Sequence, residues 1–94
     1  MDAKEFYLYS SACIKRNVVI YPKVINNSGC YKIVINVNGK EKVKDEIYKT
    51  EAYKRKKIIK TPTGIKELIE VIPAYHDKVA EYYKEIAIKN KYLQ

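Results

Sequence analysis

The sequence predicts an α+β fold: a curved antiparallel sheet of about four strands, followed by a C-terminal kinked helix or two short helices. Two observations carry this prediction. Apolar residues alternate at a period of two in the first two-thirds of the chain, and they recur at helical spacing in the last third. The length of 94 residues and the hydrophobic fraction of 47% are those of one small globular domain. We therefore expect residues 1–94 to form a single domain, strand-rich over 5–60 and helical over 61–90.

The first strands are predicted from local composition. The short aromatic run 5–10 is typical of an edge strand. The segment 17–25 is β-branched, and Pro22 places it at a sheet edge because proline cannot donate a ladder hydrogen bond. Residues 26–29 tolerate positive φ and predict a turn. The segment 30–37 has the clearest alternation of apolar side chains and is the most strongly predicted strand.

The rest of the sheet is predicted from a hairpin signal. Asn38-Gly39 is the preferred two-residue loop of a type I′ hairpin. A polar return strand is therefore expected over 40–49. A final short strand is expected around 57–60, after a charged stretch.

The helical part is predicted to begin at Thr61, a good N-cap residue, with Pro62 at the first helical position. Four residues then follow at helical spacing and form one apolar stripe: Ile65, Leu68, Ile69 and Ile72. Pro73 is expected to end or kink this helix, and a second helical segment is predicted over 74–94. The helical stripe is expected to pack on the sheet or across a dimer, which makes a homodimer through the C-terminal helices the expected assembly.

Charge gives the first indication of function. The formal net charge is +8, and residues 40–60 alone hold nine basic and four acidic residues. Such a balance favours polyanionic partners, either nucleic acid or an anionic membrane surface. No stretch reaches the roughly twenty apolar residues that span a bilayer, and no signal segment is recognised, so we expect a cytoplasmic protein without a membrane partner and with reduced thiols.

An enzyme is not expected. The chain has a single histidine, His76, and its three glycines form no phosphate-binding loop. Two cysteines and one histidine far apart in sequence do not make a zinc pattern, so neither a metal nor a cofactor is predicted.

The candidate site is a run of cations with interleaved tyrosines. Lysine and arginine side chains can bind phosphates, and tyrosine rings offer faces on which unpaired bases stack. The residues predicted to bind phosphates are Lys54, Arg55, Lys56, Lys57 and Lys60, with Lys23 and Lys32 extending the track. The residues predicted to stack on bases are Tyr48 and Tyr53.

The segment "KRKKIIKTPTGIKELIEVIP" (54–73) resembles the single-stranded-DNA-binding domain of the PC4-like (positive cofactor 4) transcriptional coactivators, which lie near the Whirly proteins. In this resemblance Lys54–Lys57 match the basic strand, Thr61-Pro62 the helix start and Ile65–Pro73 the amphipathic helix. It departs from the family pattern at Ile58, where the family has glycine, and at Gly64. The resemblance implies a curved four-stranded sheet, a helix-mediated homodimer and single strands held by basic and aromatic residues.

The expected function is therefore binding of single-stranded DNA or RNA with little sequence preference, in transcription, replication or recombination. The alternative is a small basic interaction module, such as a phage- or mobile-element-derived accessory factor, that docks on an acidic protein. Both hypotheses require that the cations and tyrosines in the middle of the chain share one solvent-facing surface.

Overall fold

The computed structural model describes residues 1–26 and 29–93, and it confirms the α+β class. Two helices, one N-terminal and one C-terminal, accompany two antiparallel sheets of four and two strands. The elements in chain order are α1 (Ala3–Ile14), β1 (Val18–Ile25), β2 (Cys30–Val37), β3 (Lys40–Val43), β4 (Tyr48–Lys49), β5 (Tyr53–Thr61), β6 (Gly64–Ile72) and α2 (Tyr75–Lys89).

The first element is a helix, so the prediction of a strand over 5–10 is wrong. Asp2 is the N-cap, and its carboxylate accepts a hydrogen bond from the Glu5 backbone N–H at 2.8 Å. The small residues Ala12 and Cys13 are buried on the side of α1 that meets the protein interior. The helix forms because an N-cap satisfies its first turn and small side chains allow close packing.

The four-stranded sheet forms much as the sequence predicts. β1 is an edge strand, as Pro22 indicates, and it pairs antiparallel with β2 along its whole length. Asn38 and Gly39 both have positive φ, as the type I′ loop between β2 and β3 requires. Of the predicted turn 26–29, the flanking Asn26 and Gly29 have positive φ, and residues 27–28 lie outside the described part of the chain.

The predicted return strand 40–49 is divided. β3 ends at Val43, and β4 pairs with β2 again at Tyr48 and Lys49, further along the same edge. Three of the four residues between them are charged, and the chain leaves the ladder after Lys44, whose N–H still donates to the Ile33 carbonyl at 2.9 Å.

The core lies between one face of this sheet and the two helices. Its buried members are Cys13, Val18, Ile20, Ile33, Tyr48, Ile72, Val79, Tyr83 and Ala87. The strand members share one face of the sheet by register, and α1 and α2 cover that face. No disulfide joins Cys13 and Cys30, and burial raises the pKa of the Cys13 thiol.

Tyr83 joins helix α2 to the edge of the sheet. Its hydroxyl accepts a hydrogen bond from the Ile20 N–H at 2.9 Å and donates to the Ile20 carbonyl at 3.2 Å. Both backbone groups of a buried edge residue are thereby satisfied without another strand. Burial raises the pKa of this hydroxyl, which therefore stays protonated at neutral pH.

The largest correction concerns residues 61–73, which were expected to form a helix and instead form a hairpin. Thr61 is the last residue of β5, Pro62-Thr63 is a two-residue loop, and Gly64 at φ +140° begins β6. Most of the apolar residues after Gly64 are β-branched, and β-branched side chains favour an extended backbone. The helical spacing of Ile65 to Ile72 is thus a coincidence of a strand that carries apolar residues on both faces.

The C-terminal helix is one straight element, α2. It begins after Pro73, with Ala74 as its N-cap, and runs to Lys89. Its apolar residues Val79, Tyr83 and Ala87 are buried in the core. The face that was expected to form a dimer therefore already packs within its own chain.

Candidate nucleic-acid interface

The predicted phosphate-binding run lies in a hairpin that leaves the body of the protein. We call β5 and β6 together, residues 53–72, the β-arm. At its base, Tyr53 packs against the core and Ile72 is one of the core residues. From Lys54 to Val71 no residue of the arm is buried. Six basic and two acidic residues give the arm half of the net charge of the chain.

Strand geometry divides the cation run between two faces, because successive side chains point in opposite directions. Lys54, Lys56 and Lys60 lie on one face, which we call the lysine face. Arg55 and Lys57 lie on the other, which we call the clamp face. The register of β5 with β6 fixes this assignment. Three of the five cations therefore share one face. The prediction that all the cations and tyrosines share one surface is wrong, because Arg55, Lys57 and Tyr53 lie on the opposite face.

The lysines of the lysine face form no ion pair within the described chain, although Glu67 lies on the same face, opposite Ile58. Within residues 1–26 and 29–93, no carboxylate lies within salt-bridge distance of Lys54, Lys56 or Lys60. Along a strand, side chains on the same face recur at every second residue, which corresponds to a distance of roughly 7 Å. This spacing gives a row of ammonium groups along the edge strand β5.

Arg55 behaves differently, because two carboxylates hold its guanidinium. One nitrogen bonds to Glu46, in the segment between β3 and β4, and the other bonds to Glu70 of β6 at 2.8 Å. Hydrogen bonds from Arg55 lower the pKa of the Glu70 carboxyl, and the two carboxylates raise the pKa of Arg55. This clamp ties the arm to the body and pairs the Arg55 charge with two carboxylates, whereas the role of Arg55 as a phosphate ligand stays a prediction.

The two predicted stacking residues lie at the base of the arm. Tyr48 is 4% exposed, a core residue on β4, and burial raises the pKa of its hydroxyl. A ring in the core has no face for a base, so its assignment as a stacking residue is wrong. Tyr53 is half-buried, donates its hydroxyl to the Ile47 carbonyl at 2.8 Å and has the Lys49 ammonium 4.6 Å from its ring centroid.

Lys23 and Lys32 lie on the outer face of the four-stranded sheet, away from the helices. They sit directly opposite one another on β1 and β2. Like charges in this position are destabilising unless an anion lies between them. Tyr21 precedes them by one row on the same face, and its hydroxyl donates to Glu41 at 2.6 Å. An aromatic ring and a lysine pair thus adjoin on this face, where Val34, directly opposite Tyr21, is fully buried.

Sequence reasoning missed the aliphatic residues of the arm. Ile58, Ile65, Ile69 and Val71 share the lysine face by register and are between 63% and 71% exposed. The available signal was the β-branched content of 65–72, which favours a strand over a helix. In a hairpin whose two faces are not covered by other elements, these side chains lie in solvent.

His76 lies on the surface at the start of α2. Its Nε2 is 3.5 Å from the carboxylate of the adjacent Asp77 at the start of α2, and both side chains are largely exposed. Among the described residues, no group of three or more histidine, cysteine, aspartate or glutamate side chains could hold a metal ion. Neither described helix is long and apolar enough to cross a bilayer.

Comparison with protein-family models, with curated proteins and with solved structures finds no match for this chain. The PC4-like resemblance therefore stays a prediction. Its basic strand corresponds to β5, and the segment that it implied to be a helix is the strand β6. The features that bear on function are therefore the β-arm and the outer face of the four-stranded sheet.

Proposed function

We propose that this protein binds single-stranded nucleic acid through the phosphate backbone, with the β-arm as its main contact. The observation that carries the proposal is the row of Lys54, Lys56 and Lys60, which are exposed and form no salt bridge among the described residues. Each lysine that meets a phosphate releases condensed counterions, so binding is favourable and falls with salt. Contacts from lysine to phosphate carry no base information, which accounts for little sequence preference.

The outer face of the sheet offers a second contact region. Lys23 and Lys32 lie directly opposite one another, and a phosphate bound between them would reduce their mutual repulsion. The half-exposed ring of Tyr21 lies beside this pair. Stacking of an unpaired base on such a ring contributes about 1–3 kcal/mol. With Tyr48 in the core, Tyr21 and Tyr53 are the rings nearest to the predicted cation sites that keep exposed surface.

The test is charge reversal on the lysine face. In low salt, we expect Lys54→Glu with Lys56→Glu to weaken binding of a labelled thymine oligonucleotide at least about tenfold, measured by fluorescence anisotropy. The slope of log K against log salt should also become shallower by about 1.4, since each lost phosphate contact on a single strand removes about 0.7.

The matched control is Lys4→Glu with Lys91→Glu, two exposed lysines outside the sheets, which changes the net charge equally. This control should lose far less affinity and keep the wild-type salt slope. Equal losses in the two double variants would show that only net charge matters, and the arm would then have no special role. Lys23→Glu with Lys32→Glu measures the contribution of the sheet face separately.

A second candidate function, docking on an acidic protein, is favoured by the exposed aliphatic residues of the arm. Ile58→Ser with Ile69→Ser separates the two functions, because phosphate contacts need only the lysines. Oligonucleotide affinity should be nearly unchanged in this variant. If a labelled peptide of alternating glutamate and valine binds more tightly than the oligonucleotide, and the double serine variant abolishes that binding, the protein-docking function is correct instead.

A further inference from the structure

Strand β6 has one edge without a partner. It pairs with β5 on one side, and among the described residues no strand pairs with its other side. The exposed aliphatic residues of the arm lie mostly on this strand: Ile65, Leu68, Ile69 and Val71. An open strand edge with aliphatic side chains is a template for pairing with another strand. A two-stranded hairpin is only marginally stable alone, so a partner would also stabilise the arm.

The direction of the backbone groups on this edge follows from the hairpin register. A two-residue loop closes on a hydrogen-bonded pair, here Thr61 and Gly64. The pairs then alternate, so that the N–H and C=O groups of every second residue of β6 point away from β5. The residues whose backbone groups face the open edge are Ile65, Glu67, Ile69 and Val71.

We propose that β6 pairs antiparallel with β6 of a second copy of this chain, about a two-fold axis at Leu68. Leu68 is the midpoint of Gly64–Ile72, so this axis pairs the two strands along their full length. Each Leu68 then faces its own equivalent in a non-hydrogen-bonded pair, where the side chains are closest. The result is a four-stranded sheet in the order β5, β6, β6 and β5.

The side chains are complementary at most positions in this register, and the exception is Glu67, which lies opposite Ile69 of the other copy. Lys66 of each copy lies opposite Glu70 of the other, and Ile65 lies opposite Val71. Cross-strand pairs of opposite charge and of aliphatic residues both stabilise a sheet. Glu70 already accepts a hydrogen bond from Arg55 through one oxygen, Oε2. Its other oxygen is placed to accept from Lys66 of the second copy, since a carboxylate has two acceptor atoms.

Neighbouring registers of β6 lack this complementarity. An axis at Glu67 would bring two carboxylates together. An axis at Ile69 would leave Lys66 opposite Ile72 and Glu67 opposite Val71, with no pair of opposite charges. Of the three, only the axis at Leu68 combines aliphatic pairs with ion pairs.

The edge of β5 is unsuited to the same role. A two-fold axis at its midpoint, Lys57, would pair Lys57 with its equivalent and Lys54 with Lys60 of the second copy. Lysines on an edge strand are a common device against unwanted pairing. In the proposed dimer both β5 strands lie on the outside, so their lysines prevent further strand addition and remain available to an anion. The pairing itself does not depend on nucleic-acid binding.

Cross-linking tests the register directly. In a Cys30→Ser background, Leu68→Cys should form a disulfide-linked dimer on mild oxidation, because a non-hydrogen-bonded pair has Cα atoms about 4.5 Å apart and a disulfide spans roughly 4.4–6.8 Å. Lys57→Cys is the matched control. It lies opposite Leu68 within the arm, but the two copies of it would be three strand spacings apart, about 14 Å. A cross-link through Lys57→Cys and none through Leu68→Cys would overturn the proposal.

Sedimentation equilibrium tests the assembly itself. We expect the wild-type chain to associate to a dimer with rising concentration, and Leu68→Glu to raise the dimer dissociation constant at least about tenfold by placing two carboxylates at the axis. Leu8→Glu is the control, since Leu8 on α1 is exposed to a similar extent, 51% against 48%. A chain that stays monomeric at every concentration, or a dimer that Leu8→Glu weakens and Leu68→Glu does not, would contradict the proposal. Circular dichroism checks that both variants remain folded.

Discussion

The body of this protein and its β-arm differ in how far their side chains are buried. In the body, two helices cover one face of a sheet, and residues such as Ile33 and Tyr83 have almost no contact with solvent. In the arm, nine residue pairs form a ladder with both faces largely open to solvent. The body is therefore determined by burial within the chain, whereas the side chains of the arm are better explained by contacts with other molecules.

The sharpest test of this contrast compares one isoleucine from each region. Ile33→Ala should lower the free energy of unfolding by about 2–5 kcal/mol, because it leaves a cavity at a fully buried site. Ile69→Ala on the arm should change it by no more than about 0.5 kcal/mol. Urea unfolding at low protein concentration measures both. A similar loss in the two variants would mean that the arm is folded into the body more tightly than its exposure indicates.

A smaller effect is expected where the body joins a helix to its sheet. Tyr83→Phe removes the hydroxyl that serves both backbone groups of Ile20. Leaving these groups unsatisfied should cost about 1–3 kcal/mol of unfolding free energy. Tyr7→Phe, which removes the hydroxyl of a tyrosine 74% exposed on α1, is the control and should have almost no effect. Equal changes would indicate that water reaches Ile20 and replaces the bond.

The smallest effect concerns the clamp that joins the two regions. The folded pKa of Glu70 lies below its usual value of 4.5. The clamp is therefore complete above that value and is lost as the pH falls through the lower folded value. We expect the backbone order parameters of arm amides, measured by NMR relaxation, to decrease from about pH 7 to about pH 3, while those of the body change less.

Arg55→Gln provides the control for this pH dependence. Without the guanidinium, the arm should be more mobile already at neutral pH and should show little further change on acidification. Lys60→Gln, which removes a cation from the opposite face of β5, should retain the wild-type pH response. An arm whose mobility in Arg55→Gln still depends on pH as in the wild type would contradict the role of the clamp.

Much of the sheet could be predicted because its signals are local. Pro22 marked the edge strand and Asn38-Gly39 marked the hairpin, since each restricts its own backbone. The two errors arose where patterns are ambiguous. The aromatic run of α1 resembles a strand, although Asp2 and Glu5 at the capping-box spacing indicated a helix start. In 65–72, apolar residues on both faces of a strand produced a helical period by coincidence.

The candidate site was predictable in composition and not in arrangement. The cation run 54–57 is evident in the sequence, and the period of the strand then places alternate members on opposite faces. The contacts that decide which cation is available are long-range, and Glu46 lies nine positions before Arg55. Likewise, the burial of Tyr48 depends on its pairing with Tyr31 of β2, which no local pattern specifies.

The bond between Tyr83 and Ile20 has a consequence for how far assembly can proceed. Along the free edge of β1, the N–H and C=O groups of Ile20 are already hydrogen-bonded to the Tyr83 hydroxyl. Two residues further on, Pro22 has no N–H that could donate to another strand. A foreign strand could not form backbone hydrogen bonds at these two positions, so the β1 edge of the larger sheet is unsuited to strand addition. A two-fold contact through the arm, in contrast, gives a closed pair and no open-ended polymer.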